Sequence, residues 1–201
     1  MTNTNTDKYM LATKNWLQQV VIGHNFCPFA LKEFRHNRIR YQVIPEKKHT
    51  ALLNALIQEY YHLDTHPSTE TTLIIFPYGL NQFERFLNLL DHANDQLIQH
   101  DYEGVYQIAS FHPDYCFADA DIDDPANYTN RSPYPTLHLI REISLEHVLK
   151  KVKTPKAIPE RNINHTRALG LQAMQLMLQN CYQDNDNNKI IPECFIEKEA
   201  I

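Results

Sequence analysis

The chain has 201 residues and a mass of 23.6 kDa, with 43% hydrophobic and 21% charged residues, which fits a globular chain with its own core and excludes collagen-like, coiled-coil and disordered classes. Nineteen basic against 24 acidic residues leave a net charge of −5, so bulk charge repels polyanions and argues against a nucleic-acid partner. The four glycines, Gly23, Gly79, Gly104 and Gly170, are too scattered to write a GxGxxG turn or a GxxxxGK[ST] phosphate loop.

Apolar residues at helical spacing predict a first helix over Thr6–Ile22, stopped by Gly23. Pro28 suits a first helical position, so a short second helix is expected there with Cys27 as its N-cap. The segment RIRYQVI at 38–44 reads as a strand ended by Pro45, followed by a helix from His49 to Leu63 with a stripe of Leu52, Leu53, Leu56, Ile57 and Tyr60. TTLIIF at 71–76 reads as a buried strand. Asn81 with Glu84 reads as a capping box opening a helix that stops near Asp101. Strands are expected at 105–111 and 136–143, joined by a long polar connection. Ser144 then caps a helix, KTPKAIPERNI reads as a loop, and a last helix carries Leu171, Met174, Leu178 and Cys181.

This order predicts an α+β fold: a mixed sheet of about four strands in a βαβαββα core, flanked by helices, in one domain over 1–183. The tract DNDNN breaks the pattern, leaving 184–201 as a polar break and tail. The N-terminal segment does not read as a secretory signal, and no apolar run reaches the roughly 18 residues of a membrane span, so a cytoplasmic chain with no membrane partner is expected. Cys27, Cys116, Cys181 and Cys194 form no CxxC pair and read as free thiols. Neither a cofactor nor an oligomeric state is legible.

The densest chemistry lies between Phe111 and Glu142, where His112 and Asp114 leave one strand and Arg131 approaches the next. Ligands in α/β sheets favour such strand ends. Arg131, Arg141 and Arg161 carry planar forks that match carboxylate or phosphate, which points to an anionic small molecule. Asn127, Asn130 and Ser132 offer further ligand contacts, or simply build turns; Glu142 and Glu160 offer contacts of their own, or pair with the arginines. His138 lies within the fourth strand and, with His112 and Asp114, suits a base or a divalent metal. A calcium loop from Asp119 fails, because Asp124 stands where glycine is needed and Asn130 where glutamate is needed. Cys27, at a helix start, is the candidate nucleophile, with a packed, inert thiol as the alternative.

The segments WLQQVVIGHNFCPFA at 16–30, ETTLIIFP at 70–77, YQIASFHPDY, NYTNRSPYP and LHLIRE between 106 and 142, and PERNI at 159–163 resemble a bacterial family known as domain of unknown function 1415, across nearly the whole chain. The family pattern has leucine at the position of His24 and glutamine at that of Cys116, so neither takes a shared role. Cys27, His112, Asp114, Asn127, Asn130, Arg131, Ser132, His138, Arg141, Glu142, Glu160 and Arg161 match. The family carries no assigned reaction, so the resemblance implies positions and no chemistry. Two readings follow. One is a small enzyme with the arginines holding an anion, His112 as acid or base oriented by Asp114, and Cys27 as a nucleophile. The other is a binding or regulatory protein presenting Tyr106, Tyr115, Tyr128 and Tyr134 with Arg131 and Arg141 as a partner surface.

Overall fold

The computed structural model of the chain describes residues 4–150 and 154–183. Helix α1 (Thr4–Trp16) runs into a π-helical turn (Leu17–Ile22), and α2 (Ala30–Arg35) follows. Strand β1 (Ile39–Val43), α3 (His49–Thr65), β2 (Thr71–Ile75), α4 (Phe83–Gln99) and β3 (Tyr106–Phe111) alternate. A 3₁₀ turn (Pro125–Thr129), β4 (Thr136–Arg141), α5 (Glu142–Leu149), a second 3₁₀ turn (Pro155–Ala157), α6 (Ile158–Leu169) and α7 (Leu171–Asn180) complete the described order. The fold is α+β with a mixed sheet, as the sequence pattern predicts. Cys194 and the segment 184–201 lie outside the described residues. No described helix is long and apolar enough to cross a membrane.

The sheet order is β1-β2-β4-β3, with β1 and β2 parallel and β4 antiparallel to both its neighbours. Side chains alternate between the faces of a strand, and here both faces are covered. Ile74, Leu137 and Leu139 pack with Leu52, Tyr60, Phe86 and Leu89 of α3 and α4. Leu73 packs on the other side with Trp16, Leu17, Val20 and Val21, and Met174 of α7 joins them. All five residues of β2 are therefore buried, the pattern of a strand with helices above and below.

Four local expectations are corrected. Helix α2 starts at Ala30 with Phe29 as its N-cap, so Cys27 lies in the preceding turn. Helix α4 has Gln82 at its N-cap and no side-chain capping bond, so the Asn81–Glu84 box does not form. Strand β4 passes directly into α5 at Glu142, which puts Ser144 inside that helix. The expected loop around PERNI is instead helix α6: Pro159 sits in its first turn, where a missing N–H costs nothing. Gly170, at φ 84, separates α6 from α7.

The π-helical turn is set by Gly23, whose N–H donates to Gln18 O at 3.0 Å, and by Phe26 N–H donating to Val21 O at 2.8 Å. A Cβ on Gly23 would collide with the Gln19 carbonyl. Gly23→Ala is expected to cost about 2 kcal/mol in urea denaturation, the usual scale of overpacking. Unchanged stability would mean that the turn tightens into ordinary α-helix.

Candidate functional site

A cavity of ≈ 270 Å³ lies against the sheet face covered by α1 and the π turn. Its floor is a cross-strand row, Leu73, His138 and Ala109, brought into register by the β2-β4-β3 pairing. Ala109 is the small member, and it leaves room above the imidazole. Trp16 and Val21 form one wall, Leu145 and Val148 of α5 another. Cys27, from the turn before α2, faces the same space. The lining is predominantly apolar, as ligand pockets usually are.

Local bonding determines the tautomer of His138. The Thr71 hydroxyl donates to the Leu139 carbonyl, so its oxygen must accept from His138 Nε2–H, 2.6 Å away. Nδ1 is left with a bare lone pair and no hydrogen-bond partner among the described residues. Burial pushes the His138 pKa down to about 4, so the ring is neutral near pH 7 and acts as an acceptor. Cys27 is raised from its ordinary value, because burial outweighs the help of the Phe29 and Ala30 backbone. At neutral pH it is a thiol. Displaced from the N-cap, it gains little from the helix dipole.

The polar rim of the cavity is acidic. Glu33 of α2 and Glu70, just before β2, line it, and Arg38 bridges them, 3.3 Å from Glu33 Oε2 and in direct contact with Glu70 Oε2. Glu33 Oε2 and Glu70 Oε1 accept no hydrogen bond. Thr71, Glu33, Glu70 and Trp16 escaped the sequence reading: threonine in a strand and acids beside an arginine are ordinary surface or packing signals until the fold places them around one space.

The structure does not bring the three arginines together. Arg131 donates from Nε to Tyr115 O at 3.1 Å and from Nη2 to Ile122 O at 2.9 Å, and lies 4.6 Å over the Tyr128 ring. Arg141 donates to Tyr106 Oη at 3.1 Å, to Thr69 O at 3.2 Å and to Leu63 O. Arg161 reaches Asn25 O and the Asn162 side chain. Their forks satisfy backbone carbonyls and side-chain oxygens within the chain, and none lines the cavity.

The long connection after β3 is ordered by the polar residues read as ligand contacts. Asn127 accepts from Phe117 N–H at 3.0 Å and donates to Asp121 O at 2.8 Å. Asn130 donates to Ser110 O at 3.3 Å, and Ser132 to Tyr134 O at 2.7 Å. Asp124 accepts from Ala126 N–H and pairs with Arg167 of α6; first that guanidinium, then the Ala126 N–H, draws its carboxyl down to about 2. Glu142 opens α5, its N–H donating to Val105 O at 3.0 Å, and Glu160 is exposed on α6.

His112 is buried on the opposite face, between Phe83 and Phe86, with ring centroids 5.2 Å from each. Its Nδ1 accepts from the Asp114 backbone N–H at 3.0 Å, so Nε2–H donates to Leu80 O at 2.9 Å. Burial lowers its pKa. Both nitrogens are occupied, and the exposed Asp114 carboxylate does not orient the ring; the pair expected to be catalytic holds the chain together. Of the tyrosines read as a partner surface, Tyr106 and Tyr128 are core residues. Among the described residues no group of three or more His, Cys, Asp or Glu side chains is disposed to hold a metal.

Neither a curated protein nor a solved structure matches the chain. The family model described as "Protein of unknown function (DUF1415)" matches residues 8–176, a stretch running from α1 into α7 that contains the whole sheet, the cavity and its lining; the chain belongs to that family.

Proposed function

We propose that the chain binds a compact, largely apolar small molecule in the cavity against β2, β4 and β3, and that His138 Nδ1 accepts a hydrogen bond from it. The observation that carries this reading is the open lone pair of a neutral imidazole, backed by Thr71, in an apolar space large enough for a small ring system. An unpaired acceptor in such surroundings is costly unless a donor reaches it. The occupant is therefore apolar with one N–H or O–H group. An anion held by Arg131, Arg141 and Arg161 draws no support from this cavity, whose charged lining groups are Glu33 and Glu70.

The presence of Cys27 in the same lining favours a second, enzymatic reading, in which His138 Nδ1 takes the proton of a bound substrate or of the thiol. The raised thiol pKa makes reversible binding the better-supported of the two.

Thermal-shift titration with indole, 4-methylphenol and toluene tests the proposal, with Ala109→Phe as the variant that fills the floor. Indole and 4-methylphenol are expected to raise Tm of the unmodified chain by roughly 8 °C at a hundredfold excess over Kd, about 2.7 kcal/mol of linkage, and toluene by less. Ala109→Phe should abolish the response. A response that survives the filled cavity, or none in the unmodified chain, overturns the reading.

A further inference from the structure

At the opposite end of β1 and β2, on the face covered by α3 and α4, a second pocket of ≈ 140 Å³ is lined by Lys47, His49, Leu52, Leu80, Arg85 and Asn88. We propose that it is a binding site for a compact phosphate-bearing anion, held by Lys47, Arg85, Asn88 and the His49–His92 pair.

Basic side chains converge here and no acidic residue lines the pocket; Lys47 Nζ lies 5.5 Å over the Tyr78 ring, and Glu84 is the acid in the first turn of α4. Lys47 and His49 come from the β1–α3 junction, Arg85 and Asn88 from the first turns of α4. His49 Nε2 lies 2.9 Å from His92 Nδ1. Burial, then the His92 and Arg85 charges, push the His49 pKa down. None of the ion pairs among the described residues includes Lys47, Lys48, Arg85 or His92. In a chain of net charge −5 such a concentration is local, and not the overflow of a basic surface.

The backbone adds to the effect. Helices α3 and α4, 17 residues each, both begin at this end of the sheet, and neither N-cap, Lys48 or Gln82, makes a side-chain capping bond. Helix α3 has no acidic residue in its first turn. Helix α4 carries Glu84 in its first turn, so the uncompensated start is that of α3. Cations at the positive end of a helix dipole are unfavourable; an anion there relieves that conflict, and the free N–H groups become its donors.

The loop between β2 and α4 is shaped to close the pocket. Gly79, at φ 82, lets the chain lie along Lys47, where a Cβ would stand 3.3 Å from its Cα and Cβ atoms. Leu80 is buried beside it, its carbonyl held by His112 at 2.9 Å. The apolar floor of Leu52 and Leu80 has space for little beyond the headgroup, since drug-sized ligands need at least about 300 Å³. A tetrahedral oxyanion uses donors converging from several sides better than a planar carboxylate does.

The test is titration of the full chain with inorganic phosphate at constant ionic strength, followed by calorimetry and amide chemical shifts, with acetate as the comparison anion. Phosphate is expected to bind saturably at one site, shifting the His49, Leu52 and Asn88 amides, while acetate binds at least tenfold more weakly. Arg85→Ala and Lys47→Ala should each weaken phosphate binding tenfold or more with Tm unchanged, because both side chains are exposed. Unsaturable shifts spread over the basic surface, unchanged affinity in both variants, or equal binding of acetate would overturn the proposal. The site shares no lining residue with the apolar cavity, so Ala109→Phe leaves the phosphate result intact and the two proposals fail separately.

Discussion

His112→Ala is expected to destabilise the chain by about 4 kcal/mol, lowering Tm by roughly 12 °C at this chain length. The ring is wholly buried and joins two segments: Nε2–H donates to Leu80 O, and Nδ1 accepts from Asp114 N–H. Removing it strands a buried carbonyl and leaves the Asp114 amide without its partner, each costing about 1–3 kcal/mol. It also opens a void between Phe83 and Phe86, and large-to-alanine changes in cores cost about 2–5 kcal/mol. The terms overlap because neighbours relax, which makes about 4 kcal/mol a fair centre. His112→Phe separates them: it restores volume without the bonds and should recover about half the loss. Urea denaturation of both variants at pH 7.5 is the measurement. A loss under about 1 kcal/mol for His112→Ala would remove the latch and return His112 to the list of candidate acids and bases.

Acidification is expected to cost the chain about 3 kcal/mol of stability through His138 alone. An unfolded histidine titrates near 6.5, and burial holds the folded ring near 4. Between those values the unfolded chain binds a proton that the native chain refuses, so stability rises with pH across this window. The full contribution is present above about pH 6.5 and is lost as pH falls towards 4; a depression of this size corresponds to about 3 kcal/mol. His112, depressed by burial, acts in the same direction. His138→Gln can still donate to Thr71 but does not titrate. Its stability between pH 7 and 4.5 should fall less steeply than that of the unmodified chain, and parallel profiles would show that protonation of His138 is not what acid does.

Elements with strong periodicity were legible in the sequence. The α3 stripe and the β2 run emerge within two residues of their expected bounds, because burying a continuous apolar face dominates local choice. Helix ends were less legible. The Asn81 and Ser144 caps each rested on one local side-chain bond worth about 1 kcal/mol, and the Cys27 cap on the preference of Pro28 for a first helical position; none of the three forms. Helix α6 was hidden by Pro155, just before it, and by Pro159, which occupies a first-turn position that tolerates it.

Amino-acid order was enough to establish the α+β class, the four strands and the family, since these depend on periodicity and on short matching segments; that Cys27 and His138 line one cavity came from the fold. Which polar groups are spent and which are free was decided by folding. Arg131, Arg141 and Arg161 look like anion forks in a linear reading, yet each lies beside main-chain carbonyls that need donors. Lys47 and Arg85 look like surface charges, yet the parallel β1–β2 pair sets the starts of two helices side by side and brings them to one pocket. A side chain's availability depends on the groups within about 3 Å of it, and those groups come from segments far apart in the chain.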